Sequence, residues 1–164
     1  MKKGKVWKYG DDVNTDVIFP GKYTYIPMEA EEMASHALED LDPDFASQVK
    51  PNDIIVAGKN FGCGSSREQA ASCLKYAGVQ AVVAQSFARI FFRNAINQGL
   101  PVIIFEEAHD KLKKGEEVSI DFQMNEIITQ SARIPFAPLP DSVQSILDAG
   151  GLIPYTKKKI KVNC

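Results

Sequence analysis

The sequence predicts a mixed α/β fold: a short parallel core to which antiparallel strands are added. Three observations predict it. Apolar runs of strand length, Asp53–Ala57, Gln80–Gln85 and Pro101–Phe105, alternate with two segments of helical spacing. Strand–helix–strand–helix–strand over residues 53–105 implies parallel pairing with right-handed crossovers. Beyond residue 115, Glu116–Phe122, Glu126–Gln130 and Arg133–Phe136 read as hairpin-like β structure.

In chain order, Lys5–Tyr9 alternates as a short strand, and Gly10-Asp11-Asp12 turns it. Thr15–Phe19 reads as a second extended piece ending at Pro20-Gly21. Tyr23–Met28 has no clear period, carries Pro27 and reads as a loop. Ala30, Met33, Ala34, Ala37 and Leu38 place a helix over Glu29–Asp40. A helix from Ser66 to Tyr76 is stopped by Gly78, and one over Phe87–Asn97, capped by Ser86, ends at Gly99. Asp141–Ala149 is the last short helix, closed by Gly150-Gly151, and residues 156–164 read as a basic, solvated tail. No repeat or linker divides the 164 residues, which are expected to form a single domain.

Composition excludes several classes. Hydrophobic residues at 45% and charged residues at 24% are those of an ordinary globular protein. A net charge of −2 gives no bulk electrostatic reason to bind nucleic acid or an anionic membrane. The start lacks the apolar stretch of a signal peptide, and no apolar run is long enough to span a bilayer. Cys63, Cys73 and Cys164 are odd in number, form no C-x-x-C pair and have no cluster-ligand spacing. A reducing, cytoplasmic setting and no metal bound by this chain are therefore expected.

Gly58–Ala71, G-K-N-F-G-C-G-S-S-R-E-Q-A-A, is the segment with chemical content. Gly58, Gly62 and Gly64 lie between a buried strand and a helix start, where backbone can approach a ligand closely. Ser65 and Ser66 stand at the helix entry, with Arg67 and Glu68 in its first turn. Free N–H groups at such a terminus attract anions, and a guanidinium binds a carboxylate at two points. The same serines with Glu68 or Gln69 also make a capping box, and local pattern does not choose between cap and site. The loop lacks the Gly-Lys-Ser/Thr of a P-loop and the third glycine of a dinucleotide fingerprint. Neither His36 nor His109 stands in triad or ligand spacing; His36 reads as a helix-face residue and His109 as a surface one. Arg89 and Arg93, four apart, share a helix face that serves either a site or the surface.

Three blocks, Gly10–Tyr23 (G-D-D-V-N-T-D-V-I-F-P-G-K-Y), Gly58–Ala70 and Ala81–Pro101 (A-V-V-A-Q-S-F-A-R-I-F-F-R-N-A-I-N-Q-G-L-P), together resemble the swivelling domain of the aconitase superfamily. The resemblance covers residues 4–155, and the length is similar to that of the free-standing small subunits of the isopropylmalate dehydratase and homoaconitase branch. It implies a swivelling β/β/α domain that acts only with a large subunit, which carries a [4Fe-4S] cluster through its own cysteines. It implies a small hydroxy-polycarboxylic acid as substrate and dehydration followed by rehydration as the reaction. By resemblance Ser65 is the serine that takes the proton from carbon, Ser66 and Arg67 bind substrate, and Asp16 supports the site by hydrogen bonding. The loop Tyr23, Thr24, Tyr25, Ile26, with Pro27 and Met28 after it, corresponds to the segment that selects the substrate. Arginine there goes with homoaconitase-like substrates and apolar residues with isopropylmalate-like ones. This loop has no cation after Lys22, which favours an alkylmalate (isopropylmalate or dimethylmalate), although it departs from the branch's tyrosine-leucine pattern. The isolated subunit is expected to be inactive and open to self-association. A noncatalytic anion-binding module and an RNA-binding, iron-sensing offshoot are the readings from other classes.

Overall fold

In the computed structural model, which describes residues 1–162, seven strands form one sheet in the order β4-β3-β2-β1-β5-β6-β7. These are β1 (Gly4–Lys8), β2 (Ile54–Ala57), β3 (Ala81–Ala84), β4 (Val102–Ile104), β5 (Glu117–Asp121), β6 (Glu126–Ile128) and β7 (Arg133–Pro135). The first four pair in parallel and the last three antiparallel; β1 joins the halves, parallel to β2 and antiparallel to β5. The sequence expectation of a parallel core with antiparallel additions is met. Buried Asp53 fastens the junction: its carboxylate accepts from Lys5 N (2.8 Å), Trp7 Nε1 (2.9 Å) and Lys50 N (3.0 Å).

Because successive side chains of a strand point to opposite faces, the central strands feed two cores. Ile55 and Ala57 of β2 and Val82 and Ala84 of β3 face one cluster, which includes Phe19, Phe45, Phe61, Leu74 and Phe91. Ile54, Val56, Ala81 and Val83 face the other, with Val6, Ile103, Leu112, Val118 and Ile127. The first cluster is covered by α4 (Glu68–Tyr76) and α5 (Arg89–Gln98), which pack on each other. The remaining helices are α1 (Thr15–Ile18), α2 (Ala30–Ser35), α3 (Phe45–Gln48), α6 (Ala108–Lys111), α7 (Asp141–Asp148) and α8 (Leu152–Val162).

Four segments differ from the sequence expectation. Thr15–Ile18 is one helical turn rather than an extended piece. The Asn14 side chain accepts from Asp16 N at 2.8 Å, and burial of Thr15 and Ile18 outweighs their β-branched preference. The helix expected over Glu29–Asp40 stops at Ser35: Leu38 takes φ +56° and donates its N–H to Ile18 O (2.8 Å), which carries Ala37 and Leu38 into the core. The helix expected to start under a Ser86 cap begins at Arg89, because the Ser86 hydroxyl instead accepts from Asn60 N at 2.8 Å. Finally, the basic segment expected as a solvated tail forms α8 as far as Val162, packed on α5 and α7. Lysines in its last turn complement the helix dipole, and Lys159 lies over the Tyr155 ring one turn earlier at 4.9 Å. Cys164 lies outside the described residues. Among them, no helix is long and apolar enough to cross a membrane.

Candidate active site

The glycine-rich loop between β2 and α4 is laced to residues 10–15. Gly58 N donates to Gly10 O (3.0 Å), Gly62 N to Val13 O (2.8 Å), and Thr15 N to Cys63 O (2.8 Å). Asn60 Nδ2 donates to Asp12 at 2.9 Å and Lys59 N to Asp11 at 2.7 Å, so both acids do more than turn the chain. The buried Thr15 hydroxyl donates to Ser65 O at 2.8 Å and fixes the backbone beneath that serine. Gly62 is required: its φ is +81°, and a Cβ there would lie 2.2 Å from Phe91 Cγ. Thus the first two sequence blocks meet through main-chain bonds, and the third supplies the aromatic floor.

Ser65, Ser66 and Arg67 all precede α4, which begins at Glu68. Arg67 occupies the N-cap position with extended backbone, and no side chain caps the helix. The placement of Arg67 and Glu68 together in the first turn is corrected by one residue, and the capping box does not form. Both serines are exposed, whereas Arg67 is largely buried and held at both ends of its fork. Its Nη2 lies 2.6 Å from Asp16 Oδ1, and its Nη1 donates to Phe19 O at 3.2 Å. Asp16 and Arg67, singled out separately in the sequence, are thus one ion pair. Gly21 passes directly beneath the guanidinium.

A cavity of about 190 Å³ opens here, lined by Thr15, Ser65, Arg67, Arg89, Phe91 and Asn94 among others. Arg89 is the first residue of α5, whose N-cap residue Ala88 also offers no side-chain acceptor. Two uncapped helix N-termini and two guanidiniums therefore border one small cavity, with Asp16 the carboxylate paired to one of them. The arrangement suits an anion with more than one carboxylate. Arg93, one turn beyond Arg89, is exposed; neither arginine is ion-paired among the described residues. Sequence reasoning missed Thr15 and Asn94. Asn94 was within reach only through its place in the third block, directly after Arg93.

The Tyr23–Met28 loop follows a 3₁₀ turn at Gly21–Tyr23. Tyr23 and Met28 pack against the core, while Tyr25 is 96% and Ile26 52% exposed. Gln69 of α4 donates to Thr24 O at 3.2 Å, which ties the loop to the same helix start as Arg67. His36 is not a plain helix-face residue: its ring stacks on Tyr23 with centroids 3.9 Å apart.

Among the described residues, no three His, Cys, Asp or Glu side chains are grouped to hold a metal ion. Cys73 is wholly buried, its thiol directed at Ala70 O (3.4 Å) and Ile18 O (3.6 Å), and burial pushes its pKa well up. Burial also raises Cys63, helped by the nearby Asp12 charge. Both thiols are thus held in the protonated form in this fold. Among the described residues, the donor set does not fit an iron–sulfur cluster.

Comparison with known proteins adds the following. A family model described as the aconitase C-terminal domain matches residues 16–108. The 3-isopropylmalate dehydratase small subunit of Thermodesulfovibrio yellowstonii is 48% identical over 162 residues, covering 98% of this chain and 96% of its own. The isopropylmalate/citramalate isomerase small subunit of Methanocaldococcus jannaschii is 49% identical, over 96% of this chain and 95% of its own. The methanogen homoaconitase small subunit of Methanothermobacter thermautotrophicus is 51% identical, over 96% of this chain and 92% of its own. A crystal structure of 3-isopropylmalate dehydratase from Methanocaldococcus jannaschii superimposes with a TM-score of 0.92 at 47% identity, covering 98% of this chain and 96% of that one.

Proposed function

Since this chain belongs to the aconitase C-terminal domain family, among the small subunits of 3-isopropylmalate dehydratase and its relatives, we propose that it forms half of a hydro-lyase that interconverts 2- and 3-isopropylmalate. The observation that carries the reading is the cavity shared by Ser65 and an Arg67 already locked by Asp16. The other half is a large subunit, and the departure of the substrate hydroxyl would be assisted by a [4Fe-4S] cluster held there. No step is assigned to a metal on this chain.

Arg67 binds one substrate carboxylate with the part of its fork that Asp16 and Phe19 O leave free, and Ser66 adds a hydroxyl contact. Ser65 acts as the base. Its Oγ, ionised, takes the proton from the carbon next to the one that loses hydroxide, which leaves a carbon–carbon double bond. Rehydration with the opposite regiochemistry returns that proton and yields the isomer. A serine hydroxyl is a poor acid near neutral pH, so its anion needs positive charge and exclusion of water. Arg67, Arg89 and the uncapped N–H groups of α4 supply positive potential, and closure against the large subunit supplies the exclusion. Because the serines are exposed in this chain alone, the isolated subunit is inactive. The free thiols and the absence of a disulfide among the described cysteines support a reducing, cytoplasmic setting.

Overall identity does not select the substrate, since relatives named for isopropylmalate and for homoaconitase are matched at 48–51%. The loop does. Tyr25 and Ile26 offer exposed apolar surface, and burial gains about 0.8 kcal/mol per CH₂ of an alkyl group. A carboxyalkyl substituent would meet no cation between Tyr23 and Met28.

The test is anaerobic reconstitution with the large subunit, followed by turnover of alkyl- and carboxyalkyl-substituted malates. Ser65→Ala should abolish turnover while the two subunits still co-elute on gel filtration. Near-normal turnover of that variant would remove Ser65 from the mechanism. A preference for carboxyalkyl substrates would overturn the loop assignment.

A further inference from the structure

One carboxylate gathers the start of the exposed Tyr23–Met28 loop. Glu39 Oε1 accepts from Lys22 Nζ at 3.1 Å and from the Tyr23 hydroxyl at 3.3 Å. Its Oε2 lies 2.5 Å from His36 Nδ1 and 3.4 Å from the same hydroxyl. His36, stacked on the Tyr23 ring, closes a triangle in which each side chain touches the other two. Hydrogen bonds from His36 and Lys22 hold the Glu39 carboxyl below its ordinary range, so it stays ionised.

Glu39 is itself anchored independently of the loop. Leu38, next to it, is fully buried and bonded to Ile18 O, and its carbonyl accepts from Leu41 N (2.9 Å) and Asp42 N (2.7 Å). Asp42 in turn accepts from the Tyr9 hydroxyl at 2.9 Å, at the end of β1. On the far side of the loop, Gln69 holds Thr24 O and Arg67 holds Phe19 O. Beyond Thr24, the exposed Tyr25 side chain forms no hydrogen bond among the described residues, and Ile26 is apolar. The direction of the loop is therefore set at residues 22–24, between the Glu39–His36 pair and the start of α4.

We propose that Glu39 and His36 are positioning residues for substrate selection: through Tyr23 they fix the angle at which Tyr25 and Ile26 meet the variable substituent of the substrate. This rests on the reading of Tyr23–Met28 as the selecting loop. Selectivity is then shared between the composition of the loop and a carboxylate sixteen residues further along the chain. An apolar pocket discriminates one methylene by roughly 10–200-fold only when its walls stay in place. Loosening the latch should lose part of that factor without touching the reacting atoms.

The experiment compares 2-isopropylmalate with citramalate, the same skeleton bearing methyl, in the reconstituted two-subunit enzyme. Glu39→Ala should lower the isopropyl-to-methyl ratio of kcat/KM by about tenfold. The change should come through KM for 2-isopropylmalate, with kcat nearly constant. Glu39→Gln, which still accepts from the Tyr23 hydroxyl but loses the charge facing Lys22 and His36, should lie between. Ile26→Ala is the control for the loop itself. If Ile26→Ala changes the ratio and the Glu39 variants do not, the latch is overturned and the selecting loop stands. If neither changes it, the loop reading fails and the latch with it. An equal fall of kcat for both substrates also overturns the latch. A second readout needs no turnover: trypsin should cut the full-length Glu39→Gln chain after Lys22 several-fold faster than wild type, and an unchanged rate counts against the proposal.

Discussion

Gly62→Ala tests the link between backbone conformation and the position of Ser65. At φ +81° an alanine pays the left-handed penalty of about 1–2 kcal/mol. Its Cβ would also stand 2.2 Å from Cγ and 2.3 Å from Cβ of Phe91, whereas carbon atoms rest at about 3.5–4.0 Å. Something must therefore move by more than about 1 Å. Phe91 is 1% exposed and packs against Phe61 at 5.1 Å, so it has little room to yield, and overpacking of this kind costs about 1–3 kcal/mol. The total, about 2–5 kcal/mol, corresponds to a Tm lower by roughly 5–15 °C for a chain of this size. The easier response is displacement of the loop, which carries Ser65 three residues on. A misplacement of about 1 Å costs on the order of 100-fold in rate. Thermal melting of the isolated subunit and kcat of the reconstituted enzyme measure the two effects. Pairing with Phe91→Ala should give less than the sum of the single losses, because the clash is shared. A Gly62→Ala variant with wild-type Tm and kcat would refute both the strain argument and the placement of Ser65 by this loop.

Asp16→Ala should lower kcat/KM by about 10–100-fold by freeing Arg67, and the loss should fall on substrate binding and orientation. Its effect on stability should stay below about 1 kcal/mol, because Asp16 is half exposed, and urea denaturation checks this. The buried Cys73 thiol and the Tyr9 hydroxyl both have raised pKa values in the fold, so each contributes stability while neutral and loses it as pH rises past its unfolded value, 9.0 or 10.0. The urea midpoint should therefore fall above pH 9, and the difference between wild type and Cys73→Ala should shrink across pH 9–11. A constant difference would show that the buried thiol contributes nothing to alkaline sensitivity.

What the sequence made legible follows from the range of the interactions involved. The strands β2, β3 and β4 are buried on both faces, so their apolar runs announce them, and the glycines ending α4 and α5 mark the boundaries. Thr15–Ile18 misled because four residues contain too little periodicity to set against β-branched side chains; the deciding bond from Asn14 is local but visible only in three dimensions. α8 misled through its charge: Lys157–Lys161 look solvated, and they are, yet the helix beneath them packs on α5 and α7. Within the candidate site, Ser65, Ser66 and Arg67 lie in one run and were legible together. Their coupling to Asp16, and the cavity wall from Arg89 and Asn94, depend on segments 20–50 residues away in sequence. The Glu39–His36–Tyr23 contacts were not legible at all, since nothing in their spacing distinguishes them from ordinary surface residues.

The two anchored ends and free apex of the Tyr23–Met28 loop bear on how such proteins diversify. Tyr25 and Ile26 contribute almost nothing to the core, so replacing them should leave folding stability nearly untouched. The serine and arginine stand on separate supports, Thr15 and Asp16, and do not depend on the identity of the apex. On the proposed reading of this loop as the selecting segment, a lineage could exchange one hydroxy acid for another through one or two codons, with no unstable intermediate on the way. Relatives bearing different substrate names at nearly the same overall identity are the pattern such a modular layout would leave behind.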